Sequence, residues 1–107
     1  MDILTAALSG TRHPLAVGER IGVELDENPT TGYRWQPVVD ADSLRVTDDG
    51  FTPAGDAVGA SGTHRFVVTA LREGATELRL RKLRSWVPEE VVDEFAVTLD
   101  VSRAPSR

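Results

Sequence analysis

The sequence predicts an all-β domain, an immunoglobulin-like antiparallel β-sandwich of about seven strands. Three observations carry that prediction. Apolar and polar residues alternate through most of the chain, and a helical period is nearly absent. Short runs rich in Val, Leu, Thr and Phe are separated by turn signals bearing Gly and Asp. At 107 residues, 40% hydrophobic and 27% charged, the chain has the length and composition of one globular domain with one modest core.

Taken in order, Ile3–Leu8 is a weak first strand. The turn Val17-Gly18-Glu19 leads into Arg20–Leu25, where Ile21, Val23 and Leu25 share a face. Tyr33–Val38 is a second weak candidate. Tyr33 and Trp35 are two apart and share a face, with Trp35 assigned to the core and Tyr33 to a place beneath the preceding loop. Ser43–Val46 is a third, closed by Asp48-Asp49-Gly50. Residues 48–62, rich in Asp, Gly, Ala and Pro, read as a long irregular connection.

Thr63–Leu71 sets Phe66, Val68 and Ala70 against Arg65, Val67 and Thr69, with His64 expected to be solvated at the strand start. After Glu73-Gly74, Thr76–Lys82 sets Leu78 and Leu80 against Glu77, Arg79 and Arg81. Glu94–Val101 sets Phe95, Val97, Leu99 and Val101 against charges and threonine. Residues 102–107 read as a frayed tail on a single domain spanning 1–107.

Composition excludes several function classes. Net charge is −5, pI is about 4.9 and the basic residues are scattered, so no stripe exists to neutralise nucleic-acid phosphates. Without cysteine there is no disulfide, thiolate metal site or cysteine nucleophile. His13 and His64 are the only histidines, and Ser61 near His64 lacks an orienting acid and an oxyanion hole, so no enzyme is expected. Asp40, Asp42, Asp48 and Asp49 do not have the spacing of a calcium loop and read as solvated turn residues. No cofactor or metal is implied. No apolar run approaches a membrane span and no basic n-region opens the chain. As it stands it reads as a cytoplasmic monomer, or as a secreted or periplasmic domain whose signal has been removed.

The densest local chemistry lies in Asn28-Pro29-Thr30-Thr31-Gly32-Tyr33-Arg34-Trp35. Asn28 is suited to an Asx-turn, Pro29 fixes φ, and Gly32 permits a positive φ. A loop stiffened in this way loses little entropy when a partner docks on it.

This run resembles the signature of the chagasin-like family of cysteine-peptidase inhibitors. Two more stretches match in order: Gly59-Ala60-Ser61-Gly62-Thr63-His64 resembles the family's glycine-rich middle loop, and Arg84-Ser85-Trp86 its Arg-Pro-Trp loop. The resemblance covers most of residues 15–102 and departs from the pattern at Ser61, where another glycine is usual, and at Ser85.

It implies three inhibitory loops on one edge of the sandwich: Asn28, Pro29, Thr30, Thr31 and Gly32; Gly59, Ala60, Ser61 and Gly62; and Arg84, Ser85 and Trp86. Loop one would plug the catalytic centre of a papain-like cysteine peptidase with Thr31 nearest the catalytic pair. Loop two would lie along the cleft and pair main chain with main chain. Arg84 and Trp86 would contact one flank, with Trp86 as the hot spot. Inhibition would be reversible and non-covalent. Two readings of Trp86 stand, an exposed contact or an indole folded back under the sandwich edge. The acidic pairs Asp26-Glu27 and Glu89-Glu90 flank these loops and are candidates for tuning partner choice at the rim. The alternative function is a non-inhibitory immunoglobulin-like interaction module; convergence of Thr31, Gly59–Gly62 and Trp86 on one exposed wedge separates the two.

Overall fold

A computed structural model describes residues 1–55 and 61–104. Eight strands form two four-stranded sheets: β1 (Ile3–Thr5), β2 (Arg12–Ala16), β3 (Arg20–Glu27), β4 (Arg34–Val38), β5 (Leu44–Pro53), β6 (Gly62–Ala70), β7 (Gly74–Leu83) and β8 (Asp93–Ser102). The first sheet has the order β1-β3-β6-β5 and the second β2-β8-β7-β4. Their inner faces meet in one core that includes Ile21, Val23, Leu25, Phe66, Val68, Leu78, Leu80, Phe95, Val97 and Leu99. The period-two alternation seen in the sequence supplies these residues, because successive side chains on a strand point to opposite faces.

The sandwich is mixed rather than wholly antiparallel. β1 pairs with β3 and β2 with β8 in parallel, while β3–β6, β5–β6, β4–β7 and β7–β8 are antiparallel. The cause is a crossing: the chain leaves β1 in the first sheet, runs through β2 in the second, and returns as β3 beside β1 in the original direction. β2 is an eighth strand that the sequence pattern did not predict. Pro14 lies within it, which an edge strand tolerates since one side of its ladder is open. The predicted first strand is shorter, and Ala6–Leu8 form a single 3₁₀ turn.

Two further corrections concern irregular segments. Residues 48–53 are not a loop but the second half of β5, which resumes its pairing with β6 after a bulge between Asp48 and Phe51. The turn signal there is real but local: Gly50 has φ 91° and its N–H donates to Asp48 Oδ1 at 2.8 Å. At the other end, Ser102 belongs to β8, and its carbonyl accepts from Val17 N–H at 3.0 Å. Residues 105–107 of the expected tail lie outside the described residues.

Candidate functional site

The 28–32 loop joins β3 of the first sheet to β4 of the second and folds on itself. Pro29–Thr31 make one 3₁₀ turn entered through extended Asn28 and left through Gly32 at φ 79°. Asn28 Oδ1 accepts from the Thr30 N–H at 3.1 Å and the Thr30 hydroxyl at 2.7 Å. The Thr31 hydroxyl donates to the Asn28 carbonyl at 2.8 Å and accepts from the Tyr33 N–H at 3.3 Å. Gly32 N–H closes the turn on the Pro29 carbonyl at 3.2 Å. Asx-turn, fixed φ and positive φ thus occur at the residues suited to them.

The 84–86 segment is the tip of a tight turn closed by Val87 N–H on the Arg84 carbonyl at 3.0 Å. Ser85 is exposed, and the turn closes without the proline usual at that place. Trp86 is 68% exposed, which excludes the reading that it folds under the sandwich edge. Its indole rests on Gly32 instead; Val91 and Val92, later in the same connection, are exposed as well. Arg84 reaches the same loop one residue earlier. Its Nε–H donates to the Thr31 carbonyl at 3.0 Å, and its guanidinium carbon lies 4.2 Å from the Tyr33 ring centroid and 6.0 Å from that of Trp86. The Tyr33 ring, expected beneath the loop, serves as the platform for Arg84.

Of the middle stretch, Ser61 and Gly62 are described, at the start of β6. Ser61 is exposed and its carbonyl accepts from Ala54 N–H at 3.0 Å. Gly62 is buried, and a Cβ there would stand 2.2 Å from the Thr52 carbonyl oxygen and 2.5 Å from the Phe51 ring, so only glycine fits. Gly59 and Ala60 lie outside the described residues.

Strand register brings the described part of the middle segment, Ser61–Gly62, to the same end of the sandwich as Asn28–Gly32 and Arg84–Trp86. Glu27, the last residue before the first loop, pairs with Gly62. Arg34, the first strand residue after it, pairs with Leu83, just before Arg84. Asn28–Gly32 thus lies between the other two. Trp35 is buried in the core beneath, as expected, and its indole N–H donates to the Asp26 carbonyl at 2.8 Å, tying the two sheets together below the loop.

Under this end lies a polar cluster that contradicts the solvated reading of His64. His64 is 6% exposed and stacked on Phe66, with ring centroids 4.4 Å apart. Its Nδ1 is hydrogen-bonded to the carboxylate of Glu27, which is only 2% exposed, and its Nε2 to Asp48 Oδ1 at 2.7 Å. Glu27 is accordingly a buried residue and not part of an acidic rim, whereas Asp26, Glu89 and Glu90 are exposed. The cluster joins β3, β5 and β6 at the bases of two of the three loops. Burial opposes ionisation of Asp48, but the Gly50 N–H and His64 outweigh it and hold the carboxyl below its usual range. A signal for this cluster existed: the inward phase of Ile21, Val23 and Leu25 continues to Glu27, and that of Ala70, Val68 and Phe66 runs back to His64.

A family model described as "Chagasin family peptidase inhibitor I42" matches residues 14–101. Chagasin of Trypanosoma cruzi is 31% identical over 103 residues, covering 90% of this chain and 94% of that protein. Among solved structures, the cysteine protease inhibitor EhICP2 of Entamoeba histolytica is similar in fold with TM-score 0.81 at 19% identity, over 94% of both chains. Amebosin, in its solution structure, has TM-score 0.71 at 28% identity over 94% of this chain and 96% of that one. PbICP-C, solved in complex with falcipain-2, has TM-score 0.68 at 16% identity over 95% of this chain and 100% of that one.

Proposed function

Because this chain belongs to the chagasin family of peptidase inhibitors, we propose that Asn28–Gly32, Gly59–Gly62 and Arg84–Trp86 together occlude the active-site cleft of a papain-like cysteine peptidase. The protein is a cysteine-peptidase inhibitor and not an enzyme. Family membership decides against the non-inhibitory interaction module.

One observation carries the assignment of the loops. Arg84 bonded to the Thr31 carbonyl and Trp86 seated on Gly32 join two loops from different parts of the chain into one wedge, with Thr30, Thr31 and Trp86 exposed on it. A 3₁₀ turn whose N–H groups bond within the loop does not offer the extended backbone of a peptide substrate, so docking need not lead to near-attack geometry. Ser61, exposed beside the buried Gly62 that pairs with Glu27, marks where this segment would run along the cleft. Exposed aromatic surface at Trp86 fits the flank contact, where such residues concentrate interface energy.

The experiment is a titration against papain with a fluorogenic substrate, with trypsin as the control. Reversible inhibition of papain that saturates at one equivalent, with trypsin untouched, is the expected result. Full activity of papain and of a panel of related cysteine peptidases at high inhibitor concentration would overturn the proposal.

A further inference from the structure

We propose that Arg84 protects the 28–32 loop from being cut: by holding the Thr31 carbonyl oxygen in an internal hydrogen bond, it denies that oxygen to the oxyanion-stabilising donors of the bound peptidase. The inference rests on the reading that this loop enters the peptidase's active site with Thr31 nearest the nucleophile.

The peptide between Thr31 and Gly32 is the bond at risk, since it follows the residue at the exposed tip. Both of its polar atoms are already engaged inside the inhibitor. The Thr31 carbonyl accepts from Arg84 Nε at 3.0 Å, and the Gly32 N–H donates to the Pro29 carbonyl at 3.2 Å. Cleavage would require the peptidase's cysteine thiolate to add to the Thr31 carbonyl carbon while the oxygen, becoming an oxyanion, takes hydrogen bonds from the enzyme. The C–N bond to Gly32 would then break, with the amine taking its proton from the peptidase's histidine. Water would finally release the Thr31 carboxylate and regenerate the thiolate.

A cation on a carbonyl oxygen polarises it, so the position of Arg84 decides its effect. The guanidinium is itself fixed, lying over Tyr33 at 4.2 Å, and it belongs to the neighbouring loop. The tether therefore holds the Thr31 oxygen toward the neighbouring loop of the inhibitor. Donors must be aligned on the position the oxyanion will occupy to act, and this tether holds the oxygen away from them. Arg84 is thus a positioning residue for loop one as well as a member of loop three.

The test compares wild type with R84A and R84K during prolonged incubation with papain, reading residual activity over time and the inhibitor's mass. Wild type inhibits and stays whole. R84A, which also loses a loop-three contact, binds more weakly and is added at a concentration that saturates the peptidase; activity then returns as the chain is cut between Thr31 and Gly32, on the order of a hundredfold faster than in wild type. R84K, which keeps the charge without a guanidinium Nε–H, is cut at the same bond and covers the case in which R84A does not fold. Added ethylguanidinium slows the cutting of R84A, an effect that loosening of the loop alone would not produce. The proposal is overturned if the variants stay whole, are cut elsewhere, or are cut at a rate indifferent to ethylguanidinium. It is also overturned if they remain intact while inhibiting only weakly at every concentration, which would make Arg84 an enzyme contact and nothing more. Failure of wild type to inhibit papain would instead overturn the parent reading, and this inference with it.

Discussion

Gly32 lies beneath the indole of Trp86, so close that a Cβ on Gly32 would stand 2.6 Å from the ring's Cη2. The φ of 79° at Gly32 is in the left-handed region, where a Cβ is strained even without a neighbour. Replacing Gly32 with alanine therefore costs about 1–2 kcal/mol in backbone strain and also pushes the indole from its seat. We expect G32A to remain folded with a lowered melting temperature and a raised inhibition constant against papain. Unchanged inhibition would mean that the indole's seat does not matter to binding.

Trp86 itself is the strongest candidate for a hot spot. Truncating an exposed aromatic anchor of this kind costs ~2 kcal/mol of binding, roughly thirtyfold in affinity, mostly through faster dissociation. W86A should show that loss in surface-capture kinetics while melting close to wild type, because the indole lies outside the core. Wild-type dissociation from a folded W86A would remove Trp86 from the binding surface.

His64 is expected to matter to stability. In H64A the Glu27 carboxylate is left buried without its partner, and removing one member of a buried pair costs about 3–5 kcal/mol. That is a large share of the stability of a small domain. Denaturant melts should show it, and adding E27Q to H64A should recover part of the loss, since a neutral amide is cheaper to leave unpaired than a carboxylate. A loss below about 1 kcal/mol would mean that water replaces the imidazole.

Asp48 gives the cluster a dependence on pH. Its folded-state carboxyl titrates below its unfolded value, so its contribution is present above the unfolded pKa and lost as pH falls through the folded one. D48N should melt below wild type at neutral pH, and the gap should close below pH about 4. The effect should stay under about 1 kcal/mol, because the side chain is 62% exposed and solvent screens it. A gap constant from pH 7 to pH 3 would assign the difference to the hydrogen bond and not to the charge.

Strand by strand, the sequence was most readable where alternation was long. β3, β6, β7 and β8 fall within a few residues of their predicted spans, because each buries one face against the other sheet. β2 escaped because five residues with a central proline show no period, and its strand state depends on pairing with β8, nearly ninety residues away. The second half of β5 escaped because a bulge shifts the phase of the side chains between Asp48 and Phe51. At the site, the internal geometry of Asn28–Gly32 was legible from residue chemistry alone. The Arg84–Thr31 bond was not, since it links residues far apart in the chain that meet only through the β4–β7 register. The inward positions of His64 and Glu27 were not legible because their polarity outweighs a phase that points them inward, and neither alone reveals that the other will be its hydrogen-bond partner.

The 28–32 loop leaves one sheet and enters the other, and its neighbours Gly62 and Arg84 are anchored one in each layer. The docking surface is consequently a property of the closed sandwich, absent from either layer by itself. On the docking mode proposed, a bound peptidase would act as a staple across the seam, and by mass action its binding energy would add to the free energy of unfolding. Global opening of the inhibitor must await release of its target, so the complex should turn over in hydrogen exchange and proteolysis at the pace of dissociation rather than of unfolding.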